Sequence, residues 1–191
     1  MVDQLAEEYA DQDVVFVENN VDAPLGDRIS RWWAGYGAGG TVTLPLAMVD
    51  SGHEVTNGSE DFHTVYSTMI DTALDRAPTA LLDVDRERDG ATLTFEIRLT
   101  NLSGVTLASN NSAALHTMVY EEPTKGVSSR VVRAASSRAI TGLADGEVGL
   151  FTLQLNAFGV DWTRARSVVL VDYRPGGSSG AYDMLQAALQ E

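Results

Sequence analysis

Asp85, Glu87, Asp89 and Glu96 place carboxylates at positions one, three, five and twelve of a short stretch with Gly90 at six, the donor spacing of a calcium loop. Such loops join helices, whereas this stretch lies between two alternating apolar and polar runs, and Asp89-Gly90 is a hairpin signal. A hairpin without metal is therefore expected. Gly35, Gly37, Gly39 and Gly40 have the density of a phosphate loop, yet they follow a helical pattern and precede a strand, the reverse of the phosphate-binding order. They read as a connector. His53, His63 and His116 are scattered without zinc spacing and read as a turn residue, a helix-face residue and a strand residue. No GxSxG elbow marks a serine nucleophile, and the chain has no cysteine, so thiolate chemistry is closed to it. No catalytic residue, metal ligand or cofactor is assigned. Trp32 and Trp33 remain, with Tyr36 one turn on. Core packing is the first reading of these aromatics; the second is a ligand groove formed by Trp32 and Trp33 with Leu44 and Pro45.

The composition narrows the partners. The 191 residues carry 27 acidic and 13 basic side chains, a formal charge of -14, and Lys125 is the single lysine. Nucleic-acid binding depends on cationic contacts to phosphates, so it is not expected. No apolar run approaches the roughly eighteen residues of a membrane span, so no membrane insertion is expected either. A hydrophobic content of 44% supports a folded core.

The elements that would position these residues fall into two sets. Val2, Leu5, Ala6 and Tyr9 share one helix face. Asp13 to Glu18, DVVFVE, is a continuous apolar run, which predicts a strand covered on both faces within a buried parallel sheet. Leu25, Ile29, Trp32, Trp33 and Tyr36 predict a second helix. Leu46 to Val49 and Glu54 to Thr56 flank Asp50-Ser51-Gly52 as a hairpin. The stripe Phe62, Val65, Tyr66, Met69, Ile70, Ala73 and Leu74 predicts a third helix, with Ser59 as its N-cap. Beyond Pro78 the period becomes two: Leu82 and Val84, then Leu93, Phe95, Ile97 and Leu99, alternate with polar residues. Further strands are expected at Leu115 to Glu121, Ser129 to Ala135, Leu150 to Asn156 and Ser167 to Tyr173, forming a two-sheet sandwich. Tyr182 to Leu189 reads as a last short helix.

The order from Val2 to Ala77, with Pro45 in GGTVTLPLAMVDSG, resembles a thioredoxin fold lacking its first strand and active-site turn. The later segments SSRVVRAASSRAITGL, GEVGLFTLQL and VDWTRARSVVLVDYRPG resemble the bacterial family grouped with a twenty-eight-kilodalton outer-membrane protein, which joins a thioredoxin-like domain to an immunoglobulin-like sandwich. The resemblance implies an α/β plus all-β chain. Its parts are an incomplete thioredoxin-like domain at 1–77, an immunoglobulin-like β-sandwich at 78–175 and a C-terminal loop and short helix at 176–191. It also implies a cis Leu44-Pro45 bond, and a Cys-x-x-Cys strand and export signal that would lie upstream of Met1, giving an extracytoplasmic location. A missing central strand leaves a slot, and a homodimer is expected to fill it. The leading expectation for function is a non-catalytic binding or structural protein of unknown small-molecule or peptide ligand. Two alternatives stand beside it: a thiol-disulfide oxidoreductase that has lost its active strand, and an adhesive or ligand-binding sandwich.

Overall fold

The computed structural model describes residues 2–21, 28–37, 41–58, 61–124 and 130–190. Three helices and a hairpin precede two antiparallel sheets, an α/β part followed by an all-β sandwich. In chain order, α1 spans Val2–Glu8, α2 Arg28–Tyr36, β1 Leu46–Val49, β2 Glu54–Asn57 and α3 Phe62–Leu74. The sandwich strands are β3 Ala80–Asp89, β4 Thr92–Asn101, β5 Ala114–Glu121, β6 Val132–Ala139, β7 Val148–Asn156, β8 Ala165–Tyr173 and β9 Asp183–Gln190. One sheet has the order β3-β4-β7, the other β6-β5-β8-β9.

Alternation builds the sandwich interior. Leu93, Phe95, Ile97 and Leu99 of β4 point inward and are buried against Leu115, Val119, Val169 and Val171 of the facing sheet. Asp89 pairs across the first turn with Thr92, and Gly90 adopts the positive φ that the tight turn requires, so the acidic stretch is the expected hairpin.

The last element departs from expectation. Residues 183 to 190 form strand β9, hydrogen-bonded along β8 from Asp183↔Tyr173 to Gln190↔Ser167, and not a helix. DMLQAALQ is rich in helix formers, but the open edge of β8 offers ladder partners, and burying Leu185 in the sandwich outweighs the weak local preference.

The N-terminal elements pack onto the outer face of the four-stranded sheet. Asp13 to Glu18 is extended but belongs to no sheet, so the expected parallel strand is absent. Its backbone meets the sandwich at a single bridge, Glu18↔Val131, where Glu18 N–H donates to Arg130 O and Val132 N–H to Glu18 O. Burial on both faces is met differently. Val15 and Val17 pack with Met118, Tyr120, Val132, Val168 and Leu170 on the sheet, while Val14 and Phe16 pack with Leu5, Tyr9, Tyr66, Met69 and Ile70 beneath α1 and α3. The run is a layer between two cores.

Helix α3 forms on its apolar stripe, and its N-cap is Asp61, whose Oδ1 accepts from Thr64 N–H at 3.1 Å. Ser59, the expected cap, lies outside the described residues, as do Leu25, Gly39 and Gly40. The β1–β2 hairpin forms as expected, from Leu46↔Asn57 to Val49↔Glu54, and the Leu44-Pro45 bond ahead of it is cis.

Candidate functional site

The outer face of β5 and β8 carries even-numbered side chains, and two of them decide the chemistry, His116 and Asp172; one strand further, on β6, Ser137 is paired across from His116. Asp172 is fully buried and stands at the end of the apolar run VVLVD. A carboxylate there demands compensation.

Helix α2 supplies it. Arg28 and Arg31, one turn apart, lie on the helix side that faces the sheet. Arg31 grips Asp172 through two parallel contacts, Nε to Oδ2 and Nη2 to Oδ1, both 3.1 Å, and Arg28 Nη1 donates to Oδ2 at 3.1 Å. The forked geometry matches the carboxylate. Arg28 Nη2 also donates to Ser51 Oγ at 3.0 Å. Ser51 sits in a left-handed backbone conformation in the turn between β1 and β2, so the hairpin turn is folded to present this hydroxyl.

Two glycines allow the helix to come this close. A Cβ on Gly35 would stand 2.4 Å from Gly52 O, and one on Gly52 would stand 2.6 Å from Arg31 O. The helix and turn touch backbone to backbone, which fixes the height of Arg31 above the sheet.

His116 Nε2 lies 3.0 Å from Asp172 Oδ1 and 3.1 Å from Arg31 Nη2: with a proton it donates to the carboxylate, and without one it accepts from the guanidinium. Burial pushes the His116 pKa down, the charges of Arg28 and Arg31 add to this, and the bond to Asp172 opposes them without reversing the shift. Burial alone would raise the Asp172 pKa. The hydrogen bonds and charges of His116 and Arg31 outweigh it and hold the carboxyl well below its usual range.

Ser137, His116 and Asp172 thus form a row across three strands, the residue types of a nucleophilic triad. Yet no hydrogen bond joins Ser137 to His116 among the described residues. The adjacent guanidinium also resists formation of an imidazolium, the state a general base must reach. The row orders charge instead.

At this end of the sheet the outward residues are small, since Ala114 pairs with Ala139 and His116 with Ser137. The covering helix leaves a pocket of about 310 Å³ over them, lined by Arg31, His116, Tyr182, the serines 109, 112 and 137, and the alanines 113, 114 and 139. The Tyr182 ring carries the Arg31 guanidinium at 4.2 Å and that of Arg174 at 5.4 Å from its centroid.

A second ionic tie lies further along the junction. Arg76, just past α3, bonds Asp50 Oδ2 at 2.9 Å and also Asp183 of β9, with His53 at 3.7 Å from Asp183. Burial raises the Asp50 pKa against the pull of Arg76.

The residues expected to line a groove are divided. Trp32 is buried, with Nε1 donating to Thr56 O at 3.1 Å and its ring stacked on Tyr36. Trp33, Leu44 and Pro45 are exposed. His53 and His63 occupy a turn and a helix face as read, and His116 the strand. What the sequence did not bring together is Arg28, Arg31, His116 and Asp172, although the lone carboxylate in VVLVDY is a legible sign of a buried ion.

No protein-family model matches the chain, and no curated protein does. Among solved structures it is similar to beta-glucosidase 3B from Thermotoga neapolitana in complex with glucose, at 16% identity and a TM-score of 0.30 over 60% of this chain and 17% of that one. It is also similar to a beta-glucosidase from Kluyveromyces marxianus (14%, 0.33, over 59% and 14%). A penta-heme cytochrome c552 from Thermochromatium tepidum gives 12% and 0.35 over 91% of this chain and 53% of that one. The chain spans less than two thirds of each, and likeness at this level assigns neither fold family nor function.

Proposed function

We propose that the chain is a non-catalytic binding protein, an incomplete thioredoxin-like unit carried on an immunoglobulin-like sandwich, and that it binds a small molecule where the two meet. The observation that carries this is the buried Arg31–His116–Asp172 network opening on the junction pocket: charged groups held rigidly at the floor of a concave site suit recognition. The strand orders β3-β4-β7 and β6-β5-β8-β9 support the immunoglobulin-like assignment. The helices, the hairpin and the Pro45 entry to β1 support the thioredoxin-like one. With no cysteine in the chain, disulfide exchange has no nucleophile.

A thermal-shift screen against a library of small polar metabolites tests the reading. Hits are expected whose stabilisation disappears in Ser137→Phe, which fills the pocket mouth from an exposed position. A screen with no hit, or hits indifferent to that substitution, removes the proposal. Among the described residues β1 pairs only with β2, so its outer edge has ladder groups to offer a second copy. Sedimentation showing a monomer across micromolar concentrations rules that dimer out.

A further inference from the structure

We infer that the run from Asp13 to Asn19 is a docking edge for an extended peptide, apolar at its centre and basic at its ends, which adds to it as a strand. The groove beside this edge shares no lining residue with the junction pocket, so the two readings stand or fall separately. Among the described residues no hydrogen bond engages the backbone of Val15, Phe16 or Val17, although all three are half-buried. Backbone groups in such surroundings are nearly always paired. Asn19, at the end of the run, adds a buried Oδ1 that accepts nothing.

Alternation tells which edge is open. Along an extended chain the N–H and C=O of one residue leave from one edge and those of the next residue from the other. Glu18 spends both on the start of β6, through Arg130 O and Val132 N–H, so Val15 and Val17 address the opposite edge. Open edges are commonly blunted by proline or by charged side chains, and the VVFV segment has neither.

A groove of about 140 Å³ lies beside the run, bounded by Val14, Val15 and Phe16, by Ala6 and Ala10, and by Tyr120 and Leu189 of the sheet. Its polar borders are already engaged: Arg130 bonds Asp3 and Glu122, and the Tyr9 hydroxyl donates to Asp71. What remains is apolar surface and unbonded main chain, with Leu189 standing 45% exposed on β9. An occupant must bring its own ladder groups and apolar side chains, as a β-strand does and a small polar molecule does not. In this layer its side chains would alternate as those of Val14 to Val17 do, toward the α1–α3 core and toward the sheet, so both of its faces are apolar. Charge selects the ends. The carboxylates of Asp11 and Asp13 are exposed just before the open edge and make no ion pair or hydrogen bond among the described residues. A formal charge of -14 also sets a second copy of the chain at a disadvantage against a basic partner.

The test is fluorescence anisotropy of the labelled peptide acetyl-KKVIVVKK-amide with the full chain at low salt, on the wild type, Val15→Pro and Val15→Ala. Proline deletes an N–H that makes no bond in the free protein, while alanine loses the same packing and keeps the N–H. Binding is expected to weaken at least about tenfold in Val15→Pro and by no more than about threefold in Val15→Ala. Of two peptides N-methylated at one or the other alternate pair of core residues, one is expected to bind at least about tenfold more weakly than the other, the signature of a single ladder. Near-ultraviolet circular dichroism checks that each variant keeps its fold, and the methylated peptides decide the matter should Val15→Pro lose it. No binding, equal binding of the two methylated forms, or binding unchanged in a folded Val15→Pro overturns the inference. An acid-flanked peptide, acetyl-EEVIVVEE-amide, binding as tightly overturns the basic partner. Sedimentation showing a wild-type dimer that Val15→Pro abolishes makes a second copy the occupant and overturns it likewise.

Discussion

The two outward faces of the sandwich obey the same alternation and end differently. On β3-β4-β7 the outward positions include Asp83, Asp85 and Glu87 with Thr94, Glu96 and Arg98, a wetted surface. On β6-β5-β8-β9 the outward residues of the two central strands are buried as thoroughly as the inward ones, so that every residue of β5 is buried. A strand buried on both sides reads as a continuous apolar run, and the polar residues that interrupt it must be paired. His116 and Asp172 are the charged-type interruptions on the outward side, and Arg28 and Arg31 come from at least 85 residues away to meet them, whereas the inward Thr117 buries its hydroxyl without a hydrogen-bond partner among the described residues.

Substitutions can break this contrast. Phe95→Ala, in the interior shared by both sheets, is expected to cost about 3–5 kcal/mol by chemical denaturation. Asp172→Ala is expected to cost a similar amount, about 3–5 kcal/mol, because Arg28 and Arg31 keep their charge in a buried place without that carboxylate. A loss below about 1 kcal/mol there would mean that the covered face is wetter than described.

Val17→Asp, which sets a carboxylate against the covered sheet, is expected to lose about 1–3 kcal/mol. The pH dependence should sharpen the contrast. The His116 pKa is depressed by folding, so the unfolded chain takes up a proton first, and stability is full above about 6.5 and falls as pH drops below it. Asp172 is also depressed, and its contribution, present above about 4, is lost only in stronger acid. Melting temperatures between pH 8 and 5 should decline for the wild type and decline less for His116→Gln. The smallest effect is expected on the open face, where Leu150→Lys at an exposed position should change stability by no more than about 0.5 kcal/mol.

Local pattern explains which parts could be read in advance. The alternation in β3 and β4 and the Asp89-Gly90 turn specify a hairpin within about twenty residues, and the stripe from Phe62 to Leu74 specifies α3. Residues 183 to 190 misled because Met, Leu, Gln and Ala favour helix locally while the free edge of β8, distant in kind if not in sequence, favours a strand. DVVFVE announced burial on both faces but not what would cover them, since side-chain pattern says nothing about hydrogen-bond partners. The junction site was illegible for a further reason: its four residues sit at 28, 31, 116 and 172, and only the folded topology makes them neighbours.

The alternation of Val14, Val15, Phe16 and Val17 between neighbouring interiors has a mechanical side. Each consecutive residue is a stitch in a different fabric, so no scissor point along the polypeptide yields a helical fragment and a sandwich fragment that both keep their lining intact. Heat should therefore release the helices and the sheets together, as one calorimetric peak.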